Sequence, residues 1–103
     1  MNEQYELSYL PLFEQDLAEA RKYISDTLHN PAAAMRLVGD TETAILKRLN
    51  NPLGYKPYHS KKDRRYPYYR IQIRNYTVFY VVIGNVMEVR RFVYGRRNLP
   101  DII

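Results

Sequence analysis

The stretch from Tyr68 to Tyr94 constrains the fold most, because it reads as three strands with almost no chain between them. Residues 68–74, YYRIQIR, place Ile71 and Ile73 opposite Arg70, Gln72 and Arg74, the period-two pattern of a strand with one buried side. Residues 76–83 are apolar at almost every position, as a strand covered on both faces would be. Residues 86–94 alternate again, with Val86, Glu88, Arg90, Phe92 and Tyr94 on one side and Met87, Val89, Arg91 and Val93 on the other. Asn75 marks a tight turn, and Gly84-Asn85 is a two-residue connection whose glycine suits a type II′ turn. Connections this short force antiparallel neighbours.

Upstream the periodicity changes. Tyr5, Leu7 and Tyr9 alternate with polar residues, predicting a strand over 4–10 that Pro11 ends. Phe13, Leu17, Ala20, Ile24 and Leu28 recur at helical spacing and predict a helix over 12–28. Asn30-Pro31 is a helix start, since asparagine caps and proline loses nothing by lacking an N–H in the first turn. The second helix runs through Leu49 with Ala34, Leu37, Val38, Thr41, Ile45 and Leu49 facing inward, and Asn50-Asn51-Pro52 stops it. The expectation is an α+β domain over residues 1–103, in the order β-α-α-β-β-β, with the two helices forming a hairpin packed on the sheet. Strand one can pair only by long-range return.

Charge is unevenly divided. Residues 1–50 hold five Lys/Arg and eight Asp/Glu, net −3; residues 51–103 hold eleven and three, net +8, and these sum to the +5 of the whole chain. Eight of the eleven tyrosines also fall in the second half. A basic, tyrosine-rich half suggests an anionic partner, either nucleic acid or an acidic protein. Without cysteine there is no disulfide or thiolate metal site, and no carboxylate or histidine cluster has metal-ligand spacing. Neither a phosphate-cradling glycine loop nor a nucleophile elbow is present, and no cofactor is expected. No apolar run approaches the roughly 18 residues of a membrane span, and no signal peptide is seen, so the expected location is the cytoplasm.

Candidate binding residues follow from the strands and from the long connection. Strand spacing puts Arg70 and Arg74 about 13 Å apart on one face with Gln72 between them, within reach of successive phosphates. Lys61, Lys62, Arg64 and Arg65 form a basic lip in the aperiodic segment 51–67, and Arg96 and Arg97 follow the last strand. Arg90 and Arg91 cannot share a face, so at least one points away from the helices. Glu88 is expected to pair with an arginine. Metal-free RNA cleavage needs a base, an acid and cations. The cations are plentiful, and His59, Tyr94, Arg70 and Arg97 are the weak catalytic candidates. His29 lies at a helix end.

Three ordered segments carry a resemblance: YELSYLPLFEQDLAEARKYI at 5–24, YYRIQIRNYTVFYVV at 68–82 and VMEVRRFVYGRRN at 86–98. Together they resemble the RelE/ParE superfamily of bacterial type II toxin–antitoxin toxins over nearly the whole chain. The resemblance implies a helical hairpin on one face of a four-stranded antiparallel sheet, and a cognate antitoxin that wraps the toxin and holds it inactive. RelE-like members cut messenger RNA in the ribosome and ParE-like members poison DNA gyrase. In the ribonuclease pattern two lysines lie on the strand after the helices, falling here on Arg70 and Gln72. An arginine of the next strand falls on Thr77, and one beyond the last strand on Arg97. The charge is kept at Arg70 and Arg97 and lost at Gln72 and Thr77, and the C-terminal tyrosine of that pattern has no counterpart in NLPDII. The gyrase reading therefore leads. A metal-independent endoribonuclease acting on messenger RNA in the ribosome, and a non-toxic basic nucleic-acid or protein binding module, remain the alternatives.

Overall fold

The computed structural model describes residues 4–58 and 65–95. Their element order is β1 (Glu6–Tyr9), α1 (Pro11–Lys22), α2 (Pro31–Arg48), β2 (Tyr69–Ile73), β3 (Tyr76–Ile83) and β4 (Val86–Tyr94). Proline opens each helix, where its missing N–H leaves no bond unmade. Asn30 caps α2, its Oδ1 accepting the Ala33 N–H at 3.1 Å, and Ala34, Leu37, Thr41 and Ile45 form the buried stripe. The first helix does not run uniformly to residue 28. Its last turn, Tyr23–Thr27, is π-helical, and the Leu28 N–H reaches back five residues to the Tyr23 carbonyl at 3.1 Å. His29 then takes φ +52, and the chain reverses into α2.

The four strands form one sheet in the order β1-β4-β3-β2. β2, β3 and β4 are antiparallel neighbours, as their short turns require. β1 departs from the wholly antiparallel arrangement: it runs parallel to β4, with Glu6 to Tyr9 beside Val86 to Val89, so the sheet is mixed. The cause is the step at Pro11. β1 does not reverse into α1; the chain leaves the sheet edge and continues in the same direction, so that Asp16 reaches Arg91 and Phe92 farther along β4. Four reversals then follow, α1 to α2, α2 to β2, β2 to β3 and β3 to β4, and an even number restores the original direction. The antiparallel course of α2 against β2 shows in its contacts. Asp40, midway along α2, pairs with Arg74 past the end of β2, and Arg48 at the end of α2 meets Arg70 near its beginning.

Alternation along β4 also fails at one place. Phe79 pairs with Arg91 but Tyr80 pairs with Val89, so Arg90 is an extra residue in a β-bulge. Beyond it Phe92 returns to the side of Met87 and Val89, and Val93 takes the opposite side. Both faces of β3 are buried, as its continuous apolar run implies. On one face Phe13, Leu37 and Ile45 from the helices meet Ile71, Tyr80 and Met87. On the other, Phe79, Val81 and Val93 pack with Tyr68 and with Tyr58 and Tyr66 of the long connection. Tyr58 is tied there by a bridge to Tyr68, its N–H donating to the Tyr68 carbonyl at 2.6 Å. None of the described helices is long and apolar enough to cross a membrane.

Candidate target-binding surface

The face of the sheet away from the helices carries Arg70 and Gln72, both exposed, across from Phe79 and Thr77 in register. Gln72 is not free. Thr77 Oγ1 donates to its Oε1 at 3.1 Å, and its Nε2 donates to the Arg74 carbonyl at 2.7 Å. The two neutral side chains are thus bonded to each other on the edge strand and its neighbour, beside the β2–β3 turn. Arg70 holds its guanidinium 5.1 Å from the Tyr58 ring centroid. Arg74 does not join that row: Ile73 pairs with Tyr76, which leaves Arg74 and Asn75 as a two-residue turn. Arg74 takes φ +53 there and pairs with Asp40 of α2. Thus Arg70 is the cation that β2 itself offers on this face.

Arg90 and Arg91 part company at the bulge. Arg90 Nε donates to Glu88 Oε2 at 2.8 Å, the pairing expected of Glu88, and the guanidinium lies 5.8 Å from the Tyr68 ring. Burial works against its charge, but its bonds to Tyr68 and Glu88 outweigh that and raise its pKa. Arg91 turns to α1 instead, with Nε 2.7 Å from Asp16 Oδ2, and that bond raises its pKa. Tyr94 is half exposed at the end of β4, edge-on to Tyr76 at 5.1 Å, and Tyr76 stacks flat on Phe92 at 4.7 Å. Burial, with smaller contributions from Tyr94 and Tyr23, raises the Tyr76 phenol. Tyr94, Tyr76, Tyr23 and Leu28 wall an open groove between the end of α1 and the end of the sheet.

Arg48 organises the connection after α2, a role that periodicity did not reveal. Its Nη1 donates to the Arg70 carbonyl at 3.1 Å and to the Tyr80 hydroxyl at 2.9 Å, and its guanidinium lies 3.5 Å from the Tyr55 ring centroid. The Tyr80 hydroxyl donates in turn to the Pro52 carbonyl at 2.7 Å. Burial raises the Tyr80 phenol, partly opposed by the Arg48 charge and hydrogen bond. Beyond this staple Lys56, Pro57, Tyr58 and Arg70 line a shallow depression. The only sequence signal was the spacing of Tyr55 and Tyr58 around Lys56, inside a segment without periodicity.

Of the other expected site residues, Arg65 is exposed with its guanidinium 5.6 Å from the Tyr66 ring. His59, Lys61, Lys62, Arg64, Arg96 and Arg97 lie outside the described residues. Among the described residues no group of three or more His, Cys, Asp or Glu could hold a metal ion.

Comparison with solved structures shows the same fold elsewhere. A chain of the chromosomal ParDE toxin–antitoxin system from P. aeruginosa superposes with a TM-score of 0.70 at 14% identity, covering 91% of this chain and 99% of that one. A chain of the E. coli DinJ-YafQ toxin–antitoxin complex gives 0.55 at 14% identity, covering 88% and 92%. YafQ from E. coli strain BL21(DE3) gives 0.53 at 18% identity, covering 88% and 93%. No curated protein sequence matches the chain. The profile of the family described as the ParE toxin of the type II toxin-antitoxin system parDE matches residues 7–99. With that match over nearly the whole chain, on a RelE/ParE fold, this protein belongs to the ParE toxin family of type II toxin–antitoxin systems.

Proposed function

We propose that this toxin arrests bacterial growth by inhibiting DNA gyrase, and that it does not cut messenger RNA. One observation carries the choice of target: the hydrogen bond between Thr77 and Gln72. In the ribonuclease pattern these two positions carry cations that clamp the reacting phosphate. In-line attack by a 2′-hydroxyl gathers negative charge on that phosphate, and fixed cations supply much of its stabilisation. Here a hydroxyl and an amide occupy the two places and are turned toward each other. Arg70 is the charged member left on this strand, suited to hold an anionic surface but not to complete a clamp.

A cognate antitoxin is the natural second partner. Two of the similar chains named above belong to toxin–antitoxin systems, and the net +8 of residues 51–103 suits an acidic antitoxin segment.

The test uses the purified protein in two assays: ATP-dependent supercoiling by gyrase, and cleavage of message on programmed ribosomes. Supercoiling is expected to stop while message stays intact. Arg70→Ala should weaken the inhibition about tenfold or more, with unchanged thermal unfolding. Cut message with normal supercoiling would overturn the reading.

A further inference from the structure

We infer that the segment following α2 carries a binding site for single-stranded polynucleotide, built from Tyr55, Lys56, Tyr58 and Arg70. The site is argued from its own geometry and does not depend on gyrase being the target.

Two tyrosine rings are fixed there, each by a different device. Tyr55 is 51% exposed, yet it is not loose, because the Arg48 guanidinium sits 3.5 Å from its centroid and is itself bonded to Tyr80 and the Arg70 carbonyl. A planar cation therefore backs one side of the ring while half of the residue stays open to solvent. Tyr58 is held from below by Phe79, edge-on at 5.7 Å, and through its backbone by the bridge to Tyr68. Rings immobilised before binding lose little freedom when a flat ligand stacks on them.

Positive charge lies beside Tyr58. Lys56, Pro57, Tyr58 and Arg70 line the depression, and among the described residues no carboxylate lines it. Among the described residues no acid pairs with Arg70, and its guanidinium lies over the Tyr58 ring. Three residues of chain span at most about 11 Å, so Tyr55 and Tyr58 are within reach of neighbouring nucleotides of one strand. Stacking platforms interleaved with cations are the features by which proteins hold single strands without regard to sequence. A duplex hides the faces of its bases, and an acidic peptide would use the cations but leave the rings idle.

The experiment measures fluorescence anisotropy of short labelled oligothymidylate and oligouridylate with the full chain, between about 50 and 200 mM salt. Both strands, or either one, should bind, and the preferred sugar identifies DNA or RNA as the source. Lys56→Ala should lower the slope of log affinity against log salt by about 0.7, as loss of one phosphate contact to a single strand does. Tyr55→Ala should weaken binding about tenfold at unchanged slope, and Tyr55→Phe should restore it. Tyr55→Leu, which keeps bulk without a π face, gives the same reading if the alanine variant fails to fold. The inference is overturned if the non-aromatic Tyr55 variant that folds binds as tightly as the parent. It is also overturned if a duplex binds as tightly as the single strands, or if poly-glutamate binds through Lys56 while neither oligonucleotide does. Gyrase is absent from the assay, so its outcome is separate from the supercoiling test.

Discussion

Asp16 of α1 is hydrogen-bonded to the backbone of Phe92: its Oδ2 accepts the Phe92 N–H at 3.0 Å while also receiving Arg91 Nε at 2.7 Å. β1 covers β4 only as far as Val89, so beyond that point a side chain from the helical layer does what a neighbouring strand would otherwise do. An uncovered edge there would invite pairing with other chains.

Removing that carboxylate should be costly. Both side chains are largely buried, at 12% and 23% exposure, and Asp16→Ala removes the one carboxylate that serves both the Arg91 guanidinium and the Phe92 edge N–H. A loss of about 3 kcal/mol is expected. Asp16→Asn, which keeps an acceptor but not the charge, should lose about half as much. Urea unfolding measures both, as a lower midpoint with an unchanged slope.

Arg74 presents the opposite case. It stands in the left-handed region at the first central position of a two-residue hairpin, where glycine is at home. Its pairing with Asp40 is about half exposed on both sides and is worth little. Arg74→Gly should therefore leave stability unchanged or raise it by up to about 1 kcal/mol. A fall of that size would mean that the Asp40 pairing matters more than its exposure suggests.

Arg48 should be the weak point for the connection after α2. Arg48→Ala deletes two hydrogen bonds and the backing of Tyr55, with an expected cost of about 2 kcal/mol. Limited proteolysis should then cut residues 49–58 faster than in the parent, with the sheet still folded.

The tyrosines set an alkaline limit. Burial raises the phenols of Tyr80, Tyr76 and Tyr9, so the fold favours their neutral forms. Their contribution is complete below the ordinary tyrosine value of about 10 and is lost as pH climbs through the raised values. Urea midpoints should stay level from this source up to about pH 10 and drop above it. Tyr80→Phe should make the drop shallower, while costing stability at neutral pH through the Pro52 and Arg48 bonds.

Much of the architecture could be read in the chain because its signals are local. Pro31 after Asn30, Gly84 before Asn85 and the apolar run of β3 each dictate the backbone at their own position, and each element formed where its pattern lies. The parallel course of β1 was not legible, since Pro11 says where a strand ends and nothing about which way the chain then travels. The bulge at Arg90 was hidden for a similar reason: two adjacent arginines look alike until their carboxylate partners, Glu88 and Asp16, are placed in space. Among the site residues, Arg70 and Gln72 shared a face as alternation required. Arg74 left it because a two-residue turn had to be closed. Arg48, Tyr55 and Tyr58 went unnoticed because a stack of side chains across an irregular connection has no period.

The late partner of the first strand has a consequence for synthesis. Residues 6–9 leave the ribosome 80 residues ahead of residues 86–89, beside which they lie (Glu6 against Val86). Until the β3–β4 hairpin has cleared the exit tunnel β1 cannot dock on β4, and such distant pairing is slow to close even afterwards. The toxin is thus born incomplete on every round of translation, and each newly made molecule passes through an interval in which an antitoxin already present can reach it first.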